Sequence, residues 1–139
     1  MSFLLDTNLV SEWVKPSPNP GVVAWMAEAD EDRVFISVIT LAELRYGIER
    51  LAAGQRRKRL GQWLEEELPL RFAGRVLAVD AYVADVCGRI TARAESLGRR
   101  MEIADGFIAA TAEVRQFTVV TRDVSDFAVL GMRVLNPWT

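Results

Sequence analysis

The chain contains no histidine and a single cysteine, Cys87. The missing histidine excludes Ser-His-Asp triads, Cys-His pairs and His-ligated zinc. One cysteine can neither close an internal disulfide nor build a Cys₄ zinc site. Cys87 falls in a helical pattern, where a core position is the expectation. Lysine is nearly as scarce. Only Lys15 and Lys58 occur, so arginine supplies 15 of the 17 cations. No apolar run reaches the ~18 residues that a membrane-spanning helix needs. The opening Phe3-Leu4-Leu5 is too short for a signal-peptide core, and no basic region precedes it. A cytoplasmic protein is the expectation. Any hydrolysis must then rest on carboxylates, Lys, Arg, Tyr, Ser or Thr, assisted by a metal.

Against those absences, half of the 139 residues are apolar and 26% are charged. That is a globular profile, and the length suits one domain spanning 1–139. The 19 acidic and 17 basic residues give a net charge of −2, which argues against a generally basic coat. Short apolar runs read as strands at 3–5, 34–38, 75–79, 117–121 and 133–135. Helical periodicity covers 7–15, 21–29, 40–52, 55–68, 81–97 and 105–115. Pro16, Pro18 and Pro20 close the first helix, Asp80 caps the fifth, and Gly98 stops it. Strands alternating with helices predict an α/β fold, with a mostly parallel sheet and helices on both faces.

Ligands of open parallel sheets bind beyond the carboxyl ends of the strands. Asp6 ends the first strand, and Asp123 follows the fourth. Glu43 opens the helix after the second strand, and Asp105 opens the helix before the fourth. Each has a structural alternative. Asp6 suits an N-cap, and Thr40-x-x-Glu43 reads as a capping box. Asp105 suits a helix N-terminus, and Asp123 could cap a turn with Asp126. Together, however, four acids at one edge repel. A pair ~4 Å apart costs about 4 kcal/mol at an effective dielectric near ~20. Such a cluster calls for protonation, separation or a cation. An oxygen-only donor set suits Mg²⁺ or Mn²⁺ and does not suit zinc.

Four motifs in order resemble those of PIN-domain nucleases. They are Leu4-Leu5-Asp6-Thr7-Asn8, Leu41-Ala42-Glu43-Leu44-Arg45-Tyr46-Gly47-Ile48, Asp105-Gly106-Phe107-Ile108-Ala109-Ala110-Thr111-Ala112, and Val120-Thr121-Arg122-Asp123 with Asp126-Phe127. The order and spacing are similar to the VapC and FitB toxins of type II toxin–antitoxin pairs, over nearly the whole chain. The resemblance implies a PIN-like three-layer α/β/α fold with about five strands. It implies an endoribonuclease that holds Mg²⁺, or Mn²⁺, on Asp6, Glu43, Asp105 and Asp123 and hydrolyses RNA phosphodiesters with metal-activated water. Asn8 and Thr121 would position water or neighbouring groups. Arg122 and Asp126 are further candidates, Arg122 for phosphate or for damping the acids. The resemblance also implies a homodimer and a cognate antitoxin, with DNA reached only through that antitoxin. A second reading is a FitB-like regulatory partner of the antitoxin with little nuclease activity of its own.

Two other chemistries fit less well. A haloacid-dehalogenase-type phosphatase needs a second Asp two residues after Asp6, where Asn8 stands. A receiver-type switch needs an acidic pair near the first strand and a Lys after a late one, and Lys15 and Lys58 are the only lysines. The run Arg56-Arg57-Lys58-Arg59 is either a phosphate patch or a solvated face balanced by Glu65-Glu66-Glu67. Tyr46 and Trp63 are core, interface or base-stacking residues. Setting Asp6, Glu43, Asp105 and Asp123 aside for a metal leaves 15 acids against 17 cations. The remaining surface is mildly cationic, and the overall negative charge no longer counts against an RNA substrate.

Overall fold

A computed structural model describes residues 1–139. Five parallel strands form one sheet in the order β3-β2-β1-β4-β5. They are β1 (Phe3–Leu5), β2 (Val34–Ser37), β3 (Val76–Leu77), β4 (Thr118–Val120) and β5 (Val134–Leu135). Between β1 and β2 lie α1 (Thr7–Trp13), α2 (Pro20–Glu28) and a 3₁₀ turn at Glu31–Arg33. Next come α3 (Val38–Glu49), α4 (Gln55–Gln62), a π-helical turn at Trp63–Glu67 and α5 (Leu68–Arg71). The other crossover carries α6 (Ala81–Ser96) and α7 (Ile103–Arg115), and α8 (Val124–Ala128) joins β4 to β5.

Side chains on a strand alternate between its two faces, and here each face has its own core. Leu4 and Val119 join Val83, Ile90, Ile108 and Phe127, under α6, α7 and α8. Leu5, Val120, Val34 and Ile36 join Leu9, Val10, Leu44, Leu68 and Phe72, under α1, α3 and α5. This is the three-layer arrangement expected from the sequence. Cys87 is buried in the first cluster, as its helical setting suggested.

Several boundaries differ from the sequence reading. Pro20 does not end a helix; it occupies the first turn of α2, whose N-cap Asn19 accepts from the amides of Gly21 and Val22. A proline is tolerated there because that N–H has no partner inside the helix. Ser37 ends β2 and caps α3 by accepting from Ile39 N at 3.0 Å. The capping-box reading of Thr40 and Glu43 is therefore wrong, because both lie inside α3. The polar helix after Gly54 widens into a π turn, with Leu68 N donating to Trp63 O five residues back. Pro69 follows it and has no N–H to donate to Glu65. Gly98, at φ 81°, ends α6 in the left-handed conformation that favours glycine.

Strands β1, β2 and β3 step outward one way from the centre of the sheet, and β4 and β5 step the other way. The switch point lies between β1 and β4, where open α/β sheets place their ligands. Leu5 and Val120 are register partners, and Asp6 N donates to Val120 O at 2.9 Å. The ladder thus delivers Asp6 and Thr121 side by side at the mouth of that crevice.

Candidate active site

Asp6 is both cap and site candidate. It caps α1, with Oδ1 accepting from Thr7 N at 2.8 Å. Its Oδ2 accepts from the Thr121 hydroxyl at 2.7 Å. The residue is only 4% exposed. Burial raises its pKa, the bonds from Thr121 and Thr7 work in the opposite direction, and the charges of Glu43 and Asp123 raise it further.

Thr121 is fully buried and ties three groups together. Besides donating to Asp6, its oxygen accepts from Asn8 Nδ2 at 3.3 Å and from Asp123 N at 3.0 Å. Asn8 Nδ2 also donates to Asp123 Oδ2 at 3.2 Å. Asn8 Oδ1 accepts from Arg122 N at 3.5 Å. Asp123 stands at the N-cap position of α8 but makes no side-chain cap bond there. Its carboxylate is held by Asn8 instead, so the turn-capping reading fails.

Glu43 reaches the cluster from the second turn of α3. Its Oε1 accepts from the Thr7 hydroxyl at 2.6 Å. Thr7 and Thr40 hydroxyls lie 3.0 Å apart. Thr7 has one hydroxyl proton and gives it to Glu43, so Thr40 donates to Thr7. Thr7 and Thr40 were not picked out as functional from the sequence. The one signal for Thr7 was a hydroxyl residue directly after a strand-ending acid.

Asp105 comes from the opposite side of the sheet, in the first turn of α7. Its pKa is pushed up to about 7, chiefly by burial and then by the charges of Asp6, Glu43, Asp126 and Asp123. No hydrogen bond offsets these effects. Its position depends on Gly106. A Cβ there would sit 2.6 Å from Thr91 Cγ2 and 3.0 Å from Cys87 Sγ, so the bare glycine lets α7 lie close on α6. Asp126, unlike the other acids, is paired with an arginine: Arg99 Nη1 donates to it at 2.7 Å. Nothing in the sequence pointed to Arg99.

The chain therefore brings Asp6, Glu43, Asp105 and Asp123 to one edge, from elements on both faces of the sheet. No three of the His, Cys, Asp and Glu side chains close around a single point as they stand. What bears on the metal is the donor chemistry: Mg²⁺ takes oxygen ligands, keeps several waters and needs only one or two carboxylates directly. The donors are all oxygen, and a cation would offset the burial and the neighbouring acids that keep Asp105 from ionising.

Beside Glu43 a groove of about 780 Å³ runs between α1, α3 and α4. Leu44, Ile48, Leu51 and Trp63 form its apolar wall, and Arg56, Arg59 and Glu66 its rim. Arg57 turns away to Glu49 at 3.1 Å, and Arg45 takes Glu65 at 2.8 Å. The basic run is thus split between groove and ion pairs. Trp25 and Trp13 pack inside the fold: Trp25 meets Phe3 edge-on at 5.1 Å, and Trp13 meets Phe72 at 6.4 Å.

Residues 3–131 match the PIN domain family model. The chain is 42% identical over 135 residues to toxin FitB of Neisseria gonorrhoeae, covering 97% of both chains. It is 40% identical over 135 residues to the VapC ribonuclease Y4jK of Sinorhizobium fredii, covering 97% of this chain and 96% of that one. Among solved structures it superposes on FitAcB from Neisseria gonorrhoeae with a TM-score of 0.90 at 42% identity, covering 98% of each chain. A structure of FitAB bound to a DNA fragment gives the same TM-score of 0.90 at 40% identity, covering 99% of this chain and 96% of that one. On sequence and on fold, the chain belongs to the PIN-domain family, within its VapC and FitB toxin branch.

Proposed function

We propose that this chain is a divalent-metal-dependent endoribonuclease, the toxin of a toxin–antitoxin pair. One observation carries the reading: Asp105 sits half-buried among Asp6, Glu43, Asp123 and Asp126 with its pKa lifted to about 7. Carboxylates gathered from distant segments repel one another, and a bound cation would offset that repulsion. Asp6, Glu43, Asp105 and Asp123 would hold Mg²⁺ or Mn²⁺, which lowers the pKa of water and offsets charge on a phosphoryl group.

The protein groups supply orientation. Thr121 and Thr7 N fix both oxygens of Asp6, and Thr7 fixes one oxygen of Glu43. Asn8 holds Asp123. Arg122, exposed beside Asp123, would meet a phosphate of the incoming strand. In-line attack by water leaves a 5′-phosphate and a 3′-hydroxyl and does not use the RNA 2′-hydroxyl. Incubating the purified chain with RNA and Mg²⁺ or Mn²⁺ tests this, with the product ends analysed. Cleavage that stops in chelator and leaves 5′-phosphates supports the reading. Cyclic 2′,3′-phosphate ends contradict it.

The partners belong to the same proposal. The apolar groove beside Glu43 suits a segment of a cognate antitoxin, and the toxin would act as a homodimer in the cytoplasm. No helix is long and apolar enough to cross a membrane. The match to FitAB on DNA favours a second reading, in which the chain chiefly serves an antitoxin in a DNA-bound complex. DNA binding only with the antitoxin, together with no RNA cleavage under any divalent ion, would select it.

A further inference from the structure

Glu43 has an exposed neighbour on its own helix that the chemistry above leaves unused. Tyr46 is 65% exposed and belongs to neither apolar cluster. It follows Glu43 by three positions in α3, a spacing that puts side chains about 5–6 Å apart on a helix surface. Arg50, two turns beyond Glu43, lays its guanidinium over the Tyr46 ring, 5.3 Å from the centroid. No carboxylate claims Arg50, and the adjacent Glu49 pairs with Arg45 and Arg57 instead. Glu43, Tyr46 and Arg50 therefore share one stripe, with the ring still open after the cation has covered part of it.

The stripe meets the groove only at its Glu43 end. Glu43, Leu44, Gly47, Ile48 and Leu51 line the groove, while Tyr46 and Arg50 do not. A protein segment seated in the groove would leave Tyr46 uncovered. We infer that Tyr46, backed by Arg50, is a stacking shelf for a single-stranded RNA base next to the phosphodiester cut at Asp6, Glu43, Asp105 and Asp123. The inference rests on the ribonuclease reading and specifies how that site would hold its substrate. An aromatic face accepts any base, and a guanidinium behind it adds cation–π attraction and a partner for the flanking phosphate. The shelf would place the strand without reading its sequence.

The test is a fluorescence titration of the full chain in EDTA with a single-stranded oligoribonucleotide carrying 2-aminopurine. Cleavage of the same RNA in Mg²⁺ is measured in parallel. The wild type should bind and quench the probe. Tyr46→Ala should bind about tenfold more weakly and lose the quench, whereas Tyr46→Phe should keep both. Arg50→Gln should lower the salt dependence of binding by about one counterion. All three variants should melt like the wild type, because both positions are exposed. Wild-type affinity and quench in Tyr46→Ala, with cleavage by the wild type intact, would overturn the shelf and leave the ribonuclease reading standing. A Tyr46→Ala variant that changes oligomeric state while keeping full RNA affinity would overturn it in favour of a contact between copies. A wild type that neither binds nor cleaves RNA would overturn both.

Discussion

Thr121 donates its hydroxyl proton to Oδ2 of Asp6 over 2.7 Å, joining residues 115 positions apart in the chain. The same oxygen accepts from Asn8 and from the Asp123 amide, so one buried hydroxyl sets three parts of the acidic edge. Thr121→Val keeps the shape and removes all three bonds. We expect a loss of about 1–3 kcal/mol in stability from the buried groups left unpaired. Cleavage should fall by roughly 10–100-fold, as for other groups that orient metal ligands. Thr121→Ser should restore most of both. Calorimetry and initial cleavage rates measure the two effects separately.

Asp105 makes the metal-free protein sensitive to pH. Its folded pKa is raised to about 7 from the ordinary aspartate value of 3.8, so the folded state binds more protons than the unfolded state between those values. Stability then falls as pH rises from about 4 toward 7, because the unfolded chain ionises first. In EDTA the melting temperature should decline over that range. Asp105→Asn should flatten the decline, and an unchanged slope in that variant would remove Asp105 as its cause.

Divalent ions should reverse this penalty. An ion that binds the folded chain and not the unfolded one raises stability by about 2.7 kcal/mol at roughly 100 times its dissociation constant. Melting curves at pH 7.5 should shift upward with millimolar Mn²⁺ or Mg²⁺. Asp6→Asn and Asp105→Asn should reduce the shift. An equal shift in both variants would place the ion elsewhere.

Gly106 should be intolerant of a side chain. Alanine there would drive Cβ against Thr91 Cγ2 and Cys87 Sγ, at 2.6 and 3.0 Å. Overpacking of this kind costs about 1–3 kcal/mol. It should also move Asp105, the preceding residue, and lower cleavage. Thr91→Ser removes the closer methyl group and should recover part of the stability of Gly106→Ala. Thermal melts of the single and double variants would show whether it does.

Much of this architecture is legible in local chemistry. Phe3, Leu4 and Leu5 form a short buried strand, and Asp6 must then end it, because a carboxylate fits the strand's exit better than the sheet. Asp80 and Gly98 bracket α6 as cap and stop signals should. The start of α3 was not legible in the same way. Thr40-x-x-Glu43 has the form of a capping box, and Val38 and Ile39 are β-branched, so local preference favours extending the strand. Only the packing of the helix on the sheet selects Ser37 as the cap. The bonds of Thr7 to Glu43 and Arg99 to Asp126 depend on tertiary contact between distant segments, which no local spacing reveals.

On the proposed reading, the carboxylates at the β1–β4 switch point cut RNA with a divalent ion. The most direct measurement is the rate of RNA cleavage in Mg²⁺ or Mn²⁺ by Asp105→Asn, beside a folded wild-type control. The variant should fold properly, shown by an unchanged circular dichroism spectrum and a cooperative melt, with cleavage reduced to background at every ion concentration. A folded Asp105→Asn protein that cleaves RNA at the wild-type rate would contradict that reading.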